Sequence, residues 1–209
     1  PQLIAMVIVV VGAMIYMFQT FGGTGDKIEG IAQKTSIITE INNIKNGIQI
    51  AVRSNDIEKT TTLKDLAELE YFANQINDEV KDNTGTTALA AGHPNTYAAI
   101  SFGGEAAKSM LISLVLPSTT ALNTTTARPG LYIDLSQGTL RSNAGFLEKQ
   151  LLSDLGAIAS IDTHITAATY NALDADGDIT TATAAGTDTD TDGKFVIYFK
   201  DIQSGLIKE

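Results

Sequence analysis

The sequence has no cysteine and no tryptophan, only four prolines and two histidines in 209 residues. Without cysteine there are no disulfides, no thiolate metal sites and no thiol nucleophiles. His93 stands beside Pro94 and His164 follows Asp162-Thr163. Neither has a ligand-spaced partner, so both read as surface histidines. Basic residues are scarce as well: 14 against 24 acidic, for a formal net charge of −10. Phosphate binding needs a basic face, so nucleic acid is excluded as the main partner. Gly103-Gly104-Glu105 lacks any phosphate-loop pattern, and the nearest lysine is Lys108. No catalytic constellation and no cofactor motif is present, and the chain reads as a non-enzyme. Apolar residues are nevertheless 44% of the total, enough for a packed core and too many for wholesale disorder.

The charges that exist are unevenly placed. No charged side chain occurs before Asp26, and Leu3–Phe18 reads LIAMVIVVVGAMIYMF, with only Gly12 and Tyr16 relieving the apolarity. A helix through Leu3–Phe21 would be about 28 Å long, close to the thickness of a bilayer core. A helix apolar all round does not stay in water as a monomer, so it belongs in lipid, in another protein, or in each at different times. A secretory signal peptide is the plain alternative. Against it stand the missing basic flank, an apolar run longer than a signal core, and a following segment that continues as helix. The expectation is a retained N-terminal helix whose Pro1 was created by processing.

From Asp26 the pattern turns amphipathic. Ile28, Ile31, Ile38, Ile41, Ile44, Ile48 and Val52 recur at three- and four-residue steps, with Glu29, Lys34, Glu40 and Lys45 largely between them. Helix is therefore expected to about Arg53. Gly22, Gly23 and Gly25 separate the two halves, and each costs about 1 kcal/mol relative to alanine in a helix interior. Residues 21–25 are the expected place for the helix to melt, with a plain loop between an anchor and a domain as the alternative.

This layout resembles the type IV pilin family, in particular the longer type IVb pilins. The residues that carry the resemblance are LIAMVIVVVGAMIYMFQ followed by GGTGDKIEGIAQKTSIITEINNIKNGI, and they cover roughly the first 53 positions. The resemblance implies export with a leader, cleavage by a prepilin peptidase, methylation of the new terminus, and packing into helical filaments. The first helix would form the filament core and the globular domains its shell. Two positions depart from the pattern. Most bacterial pilins carry a glutamate at the fifth mature position, where this chain has Ala5, and an aromatic or aliphatic first residue, where it has Pro1. A carboxylate–ammonium pair in a low-dielectric core would set subunit register. This chain does without it, as archaeal pilins commonly do.

Residues 54–209 read as one extracellular α+β domain with an antiparallel sheet and packed helices. Thr61-Thr62-Leu63-Lys64-Asp65 suggests an N-cap for a helix carrying Leu63, Leu66, Leu69 and Phe72. Glu105–Val115 reads as helix stopped by Pro117, and Gly145–Leu155 as helix through Phe146, Leu147, Leu151 and Leu155. Leu131–Leu135 and Phe195–Phe199 alternate like strands. Threonine clusters at Thr119–Thr126 and Thr180–Thr191 read as solvated loops or strand surfaces, and Asn123-Thr124-Thr125 matches a glycosylation acceptor at low specificity.

A second chemical signal lies in residues 174–193. Asp174, Asp176, Asp178, Asp188, Asp190 and Asp192 place six carboxylates there with no basic residue among them. Asp188-Thr189-Asp190-Thr191-Asp192-Gly193 has the 1-3-5 carboxylate spacing and the position-6 glycine of an EF-hand loop, with the Lys194 backbone carbonyl at position 7. Position 12 is Phe199 instead of a bidentate glutamate, and a strand rather than a helix follows. Two readings fit: a calcium site built from Asp188, Asp190, Asp192 and the Lys194 carbonyl, with Asp174, Asp176 and Asp178 completing it or forming a second half-site, or a solvated acidic loop that keeps filaments apart. Related pilins staple this region with a disulfide, and a metal clip would replace it in a cysteine-free chain.

The expected function is that of a structural subunit, a pilin that polymerises through its N-terminal helix into a cell-surface filament. Its partners would be copies of itself, the inner membrane before assembly, and, by resemblance, the pilus assembly machinery. The alternatives are a secretion-system pseudopilin, an archaeal pilin or archaellum subunit with a nearly all-β domain, and a membrane-anchored adhesive domain.

Overall fold

The computed structural model describes residues 29–82, 97–99, 102, 109–116, 128–163 and 192–208. The charge-free segment, the glycines at 22–25, both histidines and the Asn123 acceptor lie outside these residues. No helix among the described residues is long and apolar enough to cross a membrane.

Helix α1 occupies residues 29–53. Its buried side chains Ile37, Ile41, Ile44, Ile48, Ala51 and Val52 fall at helical spacing on one face. The helix ends where Asn55 adopts φ 61°, a left-handed conformation that asparagine tolerates better than most residues. The Asp56 amide then donates to the Ala51 carbonyl and the Asn55 amide to Val52, a Schellman pair that satisfies the last open carbonyls.

Helix α2 spans Leu63–Glu68 and opens with the expected capping box: the Thr62 hydroxyl accepts from the Asp65 amide, and the Thr62 amide donates to the Asp65 carboxylate. The helix is shorter than its leucine spacing suggests. Glu70 at φ 60° turns the chain, with a second Schellman pair from Tyr71 to Leu66 and Glu70 to Ala67. Leu69 is left exposed, and Phe72 falls beyond the turn, buried. Helix α3, Asn74–Asp82, follows at once. The buried Asn77 side chain both accepts from the Phe72 amide and donates to the Phe72 carbonyl, fixing the turn between them.

The sheet has five strands: β1 Tyr97–Ala98, β2 Leu111–Val115, β3 Gly130–Asp134, β4 Ala159–Asp162 and β5 Lys194–Phe199, in the order β1-β2-β3-β5-β4 with antiparallel pairing throughout. A 3-10 turn at Gly138–Asn143 leads into helix α4, Ala144–Leu155. The strands expected at 131–135 and 195–199 and the helix expected at 145–155 are in place. The helix expected over 105–115 is overturned in its second half, since Leu111–Val115 is strand β2, paired along its length with β3, while residues 105–108 lie outside the described residues. The leucines and isoleucine of LISLV meet neighbours on both sheet faces, so the run lacks the polar stripe that would have marked it as a surface strand.

One core joins the layers. Ile112, Leu131, Ile133, Phe195, Ile197 and Phe199 of the sheet pack with α1, with Leu63 and Leu66 of α2, with Ile76 and Val80 of α3, and with Leu147, Leu151 and Leu155 of α4. On the opposite sheet face Val115, Tyr132, Val196 and Tyr198 form a separate cluster and are also buried.

The C-terminal strand end is fastened to α1 without covalent help. Lys45 pairs with Asp201 at 2.8 Å and lies 5.2 Å over the Phe199 ring, and Gln49 donates to the Asp201 carbonyl. Further on, Lys208 forms a parallel bridge with Glu58, its amide donating to the Ile57 carbonyl and its carbonyl accepting from Lys59. Ile57, Ile202 and Ile207 are buried at this strap.

Candidate functional sites

Two regions carry the expectations about function: the start of β5, where the acidic run ends, and the outward face of α1.

At the start of β5 the structure describes Asp192 and Lys194. Asp174, Asp176, Asp178, Asp188 and Asp190 lie outside the described residues. Asp192 is half-buried, and its carboxylate accepts the Lys194 amide at 2.8 Å, with the Lys194 ammonium 3.9 Å away. Burial pushes the Asp192 carboxyl above the usual aspartate range. The Lys194 amide and charge pull it back, and nearby Asp134 adds to the rise. Between them Gly193 sits at φ 83°, where a side chain would be strained and an added Cβ would stand 2.7 Å from the Ala144 Cβ. Its amide donates to Glu148 Oε2 at 2.7 Å and its carbonyl accepts from Leu135 at 2.8 Å.

Glu148 is fully buried on α4, and Asp134, also buried, ends β3 and accepts the Ser136 amide and hydroxyl at 2.8 and 2.6 Å. Carboxylates from three elements thus gather around one glycine, each with an oxygen committed to a backbone amide. Among the described residues no group of three His, Asp or Glu side chains is placed to hold a metal ion. Neither Asp134 nor Glu148 was singled out from the sequence. Glu148 was findable: it lies at the helical step Ala144, Glu148, Leu151, Leu155, on the same face as the core residues.

The second region is α1. Ala32, Thr35, Ser36, Thr39, Asn43, Asn46 and Ile50 are exposed and uncharged, and they follow helical spacing along roughly 27 Å of helix. A helix face turned to water usually carries charged side chains. Here the charges go to the flanks or inward: Lys34 pairs with Asp154 at 2.8 Å, Lys45 with Asp201, and buried Glu40 accepts the Tyr97 hydroxyl at 3.1 Å. The face holds small and amide side chains that allow close approach of another surface.

No protein-family model, curated protein or solved structure matches this chain.

Proposed function

We propose that the chain is a pilin-like structural subunit that polymerises through its N-terminal helix into a cell-surface filament. The observation that carries the reading is the succession of two uncharged surfaces. A stretch without charge from Pro1 to Gly25 is followed, after Asp26, Lys27 and Glu29, by a helix whose exposed side chains stay uncharged from Ile31 to Ile50. In this reading the apolar half rests in the membrane before assembly and is buried among neighbouring copies afterwards. At about 25 cal/mol per Å² of apolar surface removed from water, a rod of this length supplies a large driving force per subunit. The glycines at 22, 23 and 25 provide a segment that extends as the subunit leaves the bilayer.

The domain carried by this rod suits a filament shell. Its sheet is backed by helices, its net charge is acidic, and its C-terminal strap is held by hydrogen bonds, one ion pair and buried isoleucines. Helices α2, α3 and α4 beside the sheet count against the archaeal alternative, for which a nearly all-β domain is expected.

The test is to shear cells that produce the full chain, image the released fraction by electron microscopy and identify the subunit by intact mass. Thin filaments composed mostly of this chain are expected. A chain that stays with the membrane fraction and yields no filaments overturns the reading in favour of an anchored domain or a pseudopilin.

A further inference from the structure

We draw no further inference here: the strongest candidate, the side-chain cluster in which Asp134, Glu148 and Asp192 gather around Gly193 at the start of β5, is an acidic cluster whose carboxylates each bond a backbone amide, and nothing else among the described residues points to a ligand for it.

Discussion

Gly47 makes the sharpest test of how α1 is seated. In the middle of a helix, replacing glycine by alanine ordinarily stabilises by about 1 kcal/mol, because the glycine backbone loses more freedom on folding. At this position the opposite is expected. A Cβ on residue 47 would lie 2.6 Å from Phe72 Cε1 and 2.7 Å from the Tyr71 carbonyl oxygen, closer than real Cβ contacts come. In a looser site the ring would swing aside, but Phe72 is buried in the same core as Ile44 and Ile48, and the carbonyl belongs to a turn fixed by the Asn77 side chain. Overpacking of this kind costs about 1–3 kcal/mol and more where backbone must move.

Setting the upper part of that range against the propensity gain gives a net loss of about 2 kcal/mol for Gly47→Ala, or roughly 4–8 °C in melting temperature for a chain of this size. The assay is thermal and urea unfolding of the detergent-solubilised full chain, followed by near-ultraviolet circular dichroism of its tyrosines. Gly30→Ala is the matched control, since its Cβ would meet only the edge of the exposed Phe146 ring at 3.1 Å; it should be neutral or gain up to about 1 kcal/mol. Gly47→Ala combined with Phe72→Leu should lose less than the sum of the two single changes, because the second shortens the side chain that the first strikes. A Gly47→Ala variant as stable as the unmodified chain would refute the seating of α1 against the α2–α3 turn.

Four further outcomes follow from the structure. Tyr97→Phe removes the hydroxyl that Glu40 accepts in the interior between α1 and β1 and should cost about 1–2 kcal/mol in denaturant unfolding. Glu70→Gly places glycine at a φ of 60° and should stabilise by about 0.5–1 kcal/mol, with a calorimetric scan as the check. The Tyr71 hydroxyl donates to Asp56, which raises its pKa above 10.0 in the fold; that interaction contributes below the unfolded tyrosine pKa and is lost as pH climbs through the higher folded value. In alkaline difference absorbance the Tyr71 step should therefore move to lower pH in Asp56→Ala. Ile207→Ala opens the C-terminal strap at its buried end and should lose about 2 kcal/mol while making the last residues more susceptible to carboxypeptidase.

The sequence by itself determined what depends on spacing along a single segment. The apolar residues Ile41, Ile44, Ile48 and Val52 repeat at the helical step and α1 buries them, but the buried face continues through Ile37, whereas the expected Ile31 is exposed and Ile38 half-buried. The Thr62–Asp65 cap needs only four consecutive residues, and it formed as read. The alternation in Leu131–Leu135 and Phe195–Phe199 marked strands because every second side chain had a distinct environment to meet. LISLV at 111–115 was misread because a central strand covered on both faces loses its polar alternation, leaving an apolar run that periodicity cannot separate from helix. Strands β1 and β4 were not read at all; each is short, and each exists through pairing with a distant partner, β2 and β5.

What only tertiary structure decided concerns residues brought together from far apart. Glu148 and Asp134 meet Asp192 at Gly193, although 58 positions separate the outer pair along the chain. The seating of Gly47 on Phe72, the Glu40–Tyr97 hydrogen bond and the strap that joins Lys208 to Glu58 are likewise products of the fold. Local pattern fixes which face of an element is apolar, since that follows from backbone geometry alone. It leaves open which face of another element will meet it, because that choice is made by the packing of all the elements at once.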